Sequence, residues 1–535
     1  MEEKTMKKLL ALLLAALMLM SLAACGANGK GGGGATAAEP QYGGHLNLCI
    51  YNNPSYLDPA KSTGVWNYLW TSMIFESPLT RDAEGNIRPG VCEYELSEDQ
   101  LTLKLWVREG VTFHDGSPVE IEDVVASVKR AVHKSPREFV AGYIKDVQID
   151  GKVATFTFKE YAEKTMYYIA CVNPFIGVMP KELAEEYSYE SKNFIADVED
   201  CIGTGPYKVS DFEPQVKVEL VRHDGYIPTT GDYTGFAAPK MAYMDSITIN
   251  VNTEASTSTM ALLNGDLDVF SGISSDFDAQ VAAAGLKELV KPGTTGATLQ
   301  FNTFGGSIVN TSADMRKAIV AAIDLDALVS FMSDGKTTKA GACPVFDEAF
   351  YVDYFEKADY MGPANIALSK EYQEKAGYNG EKLTLTMPSS YDDVATLCAG
   401  WMKDAGIDVE IKMVESAAWG ELFNDPAGDW LFTWTNPSLN NTPTLLATNL
   451  MTTNYNNPEK DELYYKLQGL MVGSDEYIET WQQLAKMMVN DCPTVYVSQG
   501  EMTWTHDPDL VWDYDGRNIY FHNAYWANPA EHGKK

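Results

Sequence analysis

Apolar residues between positions 121 and 132 recur at a helical interval, with Ile121, Val124, Val125, Val128, Ala131 and Val132 on one face. Glu120, Glu122 and Asp123 stand at the front of this segment and Lys129 and Arg130 near its end, the order that a helix dipole favours. Ser117-Pro118 predicts the helix start, and His114-Asp115-Gly116 the turn before it, with Gly116 supplying a positive φ. A period of two marks strands in "HLNLCIYN", "LTLKLWV" and "VATFTFKEY". "DSITINV" predicts another strand, with Ile247, Ile249 and Val251 on one side. A helix in "EASTSTMALLNG" follows it, ending near Asn264-Gly265, and then a short strand in "LDVF". The clearest unit comes later. "KLTLTMP" reads as a strand and "SSYDDVATLCAGWMKDAG" as a helix with a Ser cap, early Asp residues, a late Lys and a terminal Gly; "IDVEIKMV" is the next strand and "SAAWGELF" a short helix. This β-α-β run predicts parallel strands joined by a right-handed crossover. There is no internal repeat, and the fold class is α/β in more than one lobe.

The first residues follow a different pattern. Lys4, Lys7 and Lys8 precede the apolar run "LLALLLAALMLMSLAAC". Its length suits a signal peptide and is short for a membrane span. It ends in Leu22-Ala23-Ala24-Cys25-Gly26, which resembles a bacterial lipobox; on that reading residues 1–25 are a lipoprotein signal peptide and Cys25 is the lipidated new N-terminus, the alternative being an ordinary signal peptide with a chance cysteine. Residues 26–40 are rich in Gly and Ala and predict a flexible tether, reaching roughly 20 Å. No second run of apolar residues is long enough to span a membrane.

Composition narrows the function. The 535 residues exceed one hydrophobic core. A formal net charge of −33 repels phosphate backbones and argues against nucleic-acid binding. Of eight cysteines, seven remain if Cys25 is lipidated: Cys49, Cys92, Cys171, Cys201, Cys343, Cys398 and Cys492. An odd number cannot all pair, no C-x-x-C occurs, and buried free thiols are expected for most, with room for one disulfide. The seven histidines are scattered without ligand spacing, and no second His or Cys follows His114 at i+3 or i+4. "DGYIPTTGDYTG" at 224–235 lacks the spacing of a calcium-binding loop and reads as a turn-rich insertion. G-x-S-x-G, H-E-x-x-H and P-loop motifs are absent. No catalytic residue, metal site or cofactor is assigned, and the chain is not expected to be an enzyme, although composition alone leaves a glycosidase carboxylate pair open.

"GVTFHDGSPVEIEDVVASVKRAV" resembles the signature of the family 5 extracytoplasmic solute-binding proteins, the peptide- and nickel-binding components of ABC importers. The resemblance extends to "YLDPAKSTGVWNYLWTSMIFESPLTRDAEGNIRPGVCEYELSEDQLTLKLWVREGVTFHDG", to "GTGPYKV" at 203–209, to "RHDGY" at 222–226, and to "LQFNTFGG" followed by "DMRKAIVAAIDLDALV". These motifs run in family order over most of residues 45–330. The resemblance implies a periplasmic-binding-protein-like fold of two lobes (class II, cluster C type) with an extra domain inserted in the first. The first main lobe would comprise 41–81, 203–298 and 495–535, the inserted domain 82–202, and the second main lobe 299–494, with "GTGPY" as the turn of re-entry.

The resemblance also implies a ligand cleft between the main lobes. Thr63, Gly64, Val65 and Trp66 would line it from the first lobe, pairing through their backbone with an extended ligand. Trp419 matches a pocket tryptophan of oligopeptide-binding relatives. Trp434, Thr435 and Asn436 align with a Trp-x-x-Asp-like motif whose aspartate binds a peptide's α-ammonium. Here that aspartate is replaced by amides and hydroxyls, and no Lys or Arg lies between Lys412 and Lys460. A charged partner therefore comes from elsewhere, or the solute carries no free ammonium, since an unpaired buried charge costs several kcal/mol. Neutral groups beside tryptophans also suit an oligosaccharide or another polyol; core packing is the other reading of Trp419 and Trp434. The expected function is capture of a solute, peptide-like or an oligosaccharide, by a monomer tied to the membrane by its lipid anchor, and delivery to an ABC permease. A sensor or adhesin on the same fold, or a secreted hydrolase, are the alternatives.

Overall fold

The structure is a computed structural model and describes residues 39–50, 55–61, 65–133, 138–162, 165–166, 169–170, 176–188, 191, 193–252, 254–333, 358–425, 430–435, 454–514 and 519–533. The chain opens with β1 (His45–Ile50) and, after a short 3-10 turn at Pro59–Lys61, helix α1 (Val65–Ile74). A hairpin of β2 (Leu79–Arg81) and β3 (Ile87–Pro89) leads into β4 (Cys92–Leu96) and β5 (Thr102–Val107), helix α2 (Ile121–His133), β6 (Ile144–Asp150) and β7 (Val153–Phe158). Strands β4 to β7 form a separate antiparallel sheet in the order β4-β5-β7-β6. Its alternation puts Leu103, Leu105, Ala154, Phe156 and Phe158 on one buried face, and the apolar stripe of α2 completes that core.

The start of α2 differs from expectation. Ser117 does not cap it: its N–H and hydroxyl both donate to Asp115 Oδ1, closing the turn, while Pro118 bridges back to Thr112. The helix begins at Ile121, where the Asp123 carboxylate turns back to accept from the Glu120 N–H at 2.8 Å. Arg130 lies in the last turn, where the dipole favours a cation, and is also buried.

The chain then continues with β8 (Tyr207–Glu213), β9 (Lys217–Arg222), β10 (Ser246–Val251), helix α3 (Ala255–Leu263), β11 (Val269–Ser271) and the long β12 (Lys287–Phe301). The "DSITINV" strand buries Ile247 and Ile249, and α3 ends at Asn264 with Gly265 at φ +76°, as the sequence predicts. After helix α4 (Ala313–Ala322) come β13 (Leu383–Pro388), helix α5 (Asp392–Asp404), β14 (Val409–Val414), helix α6 (Ser416–Asn424), β15 (Phe432–Thr435), helix α7 (Asp475–Asp491) and β16 (Thr494–His506). Strands β13 and β14 pair in parallel from Leu383↔Val409 to Pro388↔Val414, as the β-α-β pattern predicts. The Ser cap of α5 is not formed: Ser389–Tyr391 make a 3-10 turn and Tyr391 occupies the cap position without a side-chain bond. The tight turn uses up the serines before the helix starts.

Among the described residues ten strands join one sheet, in the order β14-β13-β15-β12-β16-β11-β1-β10-β9-β8, while β2–β3 and the pair Leu510–Val511 with Tyr525–Trp526 stand apart from it. It has two cores. Leu46, Leu48, Ile50, Val218, Leu220, Ile247 and Ile249 belong to one, Leu299, Phe301, Leu383, Leu385 and Phe432 to the other. Among the described residues, β12 and β16 are the strands that connect them. Their ladder runs from Lys287↔His506 to Pro292↔Glu501 and resumes at Gly296↔Gln499. Between those pairs β12 advances four residues and β16 two, which is a bulge. On one side of it β16 pairs with β11; on the other β12 pairs with β15.

Candidate ligand cleft

The polarity of the strands marks a candidate cleft. Strand β11 runs antiparallel to β16 through Val269↔His506 and Ser271↔Trp504, so its carboxyl end points toward Glu501 and the bulge. Strands β1 and β10 are parallel to β11 and to each other and point the same way. In the other half β15 runs from Phe432↔Phe301 to Thr435↔Thr298, toward Gly296. Strands β13 and β14 are parallel to it. The carboxyl ends of six strands, three from each half, therefore face one another across the bulged pair. In open α/β sheets that edge is where ligands bind.

The sequence-predicted residues sit as follows. Cys25, Thr63, Gly64 and Asn436 lie outside the described residues. Val65 and Trp66 are the first two residues of α1, in the connection that follows β1. Trp434 and Thr435 are the last two of β15, paired through their backbone with Leu299 and Thr298. Trp419 lies in α6, directly after β14, and is 9% exposed; its ring centroid is 5.6 Å from that of Phe423 and 6.0 Å from that of Trp430, and those two rings stack at 5.4 Å.

The supports around the cleft were less visible in sequence. Asp58, at the end of the loop toward α1, is buried and meets the Arg130 guanidinium at 2.5 Å; its carboxylate also accepts from the Ala60 and Ile195 N–H groups. Arg130 Nε donates to the Tyr187 carbonyl at 2.8 Å. One buried ion pair thus joins the loop before α1 to the sheet of β4 to β7. The "GTGPY" turn has a related task. A Cβ on Gly203 would stand 2.2 Å from the Ile74 carbonyl oxygen and one on Gly205 2.4 Å from that of Met73, while Gly205 N–H donates to Ile74 O at 2.8 Å. The glycines are required by close approach, and the turn satisfies the carboxyl end of α1.

His114 holds this turn from the other side. Its Nδ1 accepts from the Gly203 N–H and its Nε2–H donates to the Gly205 carbonyl, both at 3.2 Å, which fixes the neutral Nε2–H tautomer. Burial above all, then the nearby His223 and Lys208, pushes its pKa down to about 3. His114 is therefore a neutral hydrogen-bonding wedge. The bulge itself had a signal in "KPGTTG", where Pro and two Gly interrupt a strand pattern.

The thiols follow the sequence expectation where they are described. Cys49, Cys92, Cys201, Cys398 and Cys492 are free and buried, and burial pushes Cys398 and Cys492 up to about 12. Cys171 and Cys343 lie outside the described residues.

Residues 86–457 match the family described as Bacterial extracellular solute-binding proteins, family 5 Middle. The chain belongs to this family. It is similar to the oligopeptide-binding protein AppA of Bacillus subtilis, 22% identical over 92% of this chain and 93% of that protein. Among solved structures it resembles the ABC transporter substrate-binding protein CtaP of Listeria monocytogenes, with a TM-score of 0.74, 19% identity, and coverage of 91% of this chain and all of that one. It also resembles B. subtilis AppA in complex with a nonapeptide, with a TM-score of 0.68, 18% identity, and coverage of 91% and 99%. The family 5 protein therefore has the mixed α/β cluster C periplasmic-binding-protein fold. It is the substrate-binding protein of an ABC transporter and not an enzyme. Among the described residues no helix is long and apolar enough to cross a membrane.

Proposed function

We propose that this protein captures a peptide or peptide-like solute between two lobes and passes it unchanged to a membrane permease, tethered to the membrane through lipidated Cys25. The observation that carries the reading is the convergence of the carboxyl ends of β1, β10 and β11 on those of β13, β14 and β15 beside the β12–β16 bulge. A solute touching both edges favours the closed arrangement over the open one, and its differential affinity is the closing force. The similarity to oligopeptide-binding AppA supports a peptide. We take the lobes to be 41–81, 203–298 and 495–535 for the first and 299–494 for the second, with 82–202 inserted; the separate sheet of β4 to β7 supports the insertion. Thr63 to Trp66, Trp419 and Trp434 to Asn436 are the proposed contacts.

The sequence at 434–436 carries no carboxylate, which favours a blocked peptide or a neutral polyol over a free-amino peptide. Native mass spectrometry of the purified protein, followed by a thermal-shift screen of free peptides, N-acetylated peptides, oligosaccharides and nickel, separates these ligands, because a ligand selective for the folded state raises its stability. Stabilisation by peptides, N-acetylated more than free, is the expected result. Stabilisation by oligosaccharides alone would replace the peptide reading, and chemical turnover of any compound would end the transport reading. Release of the protein from the membrane fraction by Cys25→Ala tests the anchor.

A further inference from the structure

The turn that follows β16 and the C-terminal segment bring three metal-ligating side chains together. Asp507 and Asp509 flank Pro508 in that turn, and His532 comes from the C-terminal segment. One ligand atom from each lies within 4.8 Å of the other two. This cluster is remote from the candidate cleft. Val269, the first residue of β11, pairs with His506, and the His45 N–H at the start of β1 donates to the His532 carbonyl at 2.6 Å. The three side chains therefore gather at the amino ends of β1 and β11, opposite the edge where the solute is proposed to bind.

Each ligand is fixed through its backbone. Asp507 N–H donates to the Asp268 carbonyl at 2.8 Å, and Ala527 N–H to the Asp509 carbonyl at 2.9 Å. Trp526 stacks flat on the His532 ring with centroids 3.7 Å apart, which sets the plane of its nitrogens. Asp509 N–H donates to Asp507 Oδ1 at 2.8 Å, leaving Oδ2 of that carboxylate for a ligand. His532 Nε2 faces Asp509 Oδ2 at 3.8 Å. That separation is too long for a hydrogen bond. It suits two atoms that share one ion, since bonds of about 2.0–2.2 Å place ligand atoms roughly 3–4 Å apart.

Two carboxylates against one imidazole leave the group short of positive charge. Lys287 donates to the Pro508 carbonyl on the same turn, and among the described residues no Lys or Arg forms an ion pair with Asp507 or Asp509. His532 also lines a cavity of about 260 Å³ whose walls hold Asp266, Asp268 and Glu219 against one cation, Lys217. The excess of carboxylates gives this end of the molecule a field that draws cations. The donor set narrows the class. One imidazole nitrogen with two carboxylates suits a first-row divalent transition metal such as zinc, whereas calcium and magnesium favour oxygen alone.

We propose that Asp507, Asp509 and His532 bind one divalent transition-metal ion, and that the ion fastens the C-terminal segment to the turn after β16.

Zinc chloride is the probe, added to the full protein after its metals are stripped on a chelating resin. Isothermal titration should show a zinc site that Asp509→Asn and His532→Gln each weaken by at least about tenfold. Zinc should raise the thermal midpoint of the wild type and not that of either variant. A crystal soaked in zinc chloride should show an anomalous peak within about 2.3 Å of all three ligand atoms. Calcium chloride should reproduce none of these effects. Equal zinc affinity in the wild type and both variants would place the ion elsewhere and overturn the proposal. Binding at crystal concentration only, with no zinc bound in solution, would also overturn it. Should His532→Gln unfold the segment by losing the ring stacked on Trp526, Asp509→Asn decides, because it changes charge and not size.

Discussion

Asp58 and Arg130 meet at 2.5 Å with side chains at 0% and 3% exposure, although 72 positions separate them in sequence. The pair ties the loop before α1 to the helix that covers the sheet of β4 to β7. Removing one partner leaves the other as an uncompensated buried charge, at a cost of about 3–5 kcal/mol. Asp58→Asn and Arg130→Met should each lower the unfolding free energy from urea titration by about that amount, and the double variant should lose less than the sum of the two. Additive losses in this double-mutant cycle would show that the charges do not act as a pair.

Acid should weaken the protein through its histidines. The unfolded chain takes up a proton at His114 near pH 6.5, while the folded chain holds the ring neutral down to about pH 3. The stability from this group is fully present above pH 6.5 and is lost as pH falls from there toward 3. Buried His522, with its pKa well below the usual value, adds in the same direction. Denaturant midpoints measured from pH 7.5 to 4 should therefore fall, and less steeply in His114→Gln. An unchanged slope in that variant would remove His114 from the acid response.

Trp419 and Trp434 should separate by readout. Trp419 is packed against Phe423 and Trp430, so Trp419→Ala should cost about 3–5 kcal/mol of stability. Trp434→Ala should weaken solute binding roughly tenfold, about 1.4 kcal/mol, in isothermal titration with whichever solute the thermal screen identifies. A Trp434 variant that binds with wild-type affinity would remove that residue from the proposed site.

The five described cysteines should resist a thiol reagent in the native protein and react after denaturation, since burial both shields them and keeps them protonated. Rapid labelling of Cys398 or Cys492 before unfolding would contradict their burial.

Much of the local architecture was legible because it rests on short-range rules. The period of α2, the alternation of β5 and β7, and the β13-α5-β14 unit are all set by which residues face a core. What the pattern misses is where two segments meet. Arg130 reads as a helix-end cation until Asp58, from another element, arrives beside it. Ser117 and the serines at 389–390 look like caps, yet each is engaged by a nearer turn. Gly203 and Gly205 were visible as a turn, but their reason is the carbonyl end of α1, which no local window contains. The proposed contact residues came from resemblance, not from periodicity, since a cleft is formed by chain ends brought together from afar.

Strands β12 and β16 belong to both halves of the ten-stranded sheet, and this limits how the molecule can be divided. Cutting the chain at the bulge would leave each piece with a bare, hydrogen-bond-hungry strand edge of the kind that recruits other chains. Neither piece is then a self-sufficient product, and expressed alone each is expected to aggregate. Newly made polypeptide also cannot complete the half that holds β11 until β16, far downstream in the chain, has left the ribosome.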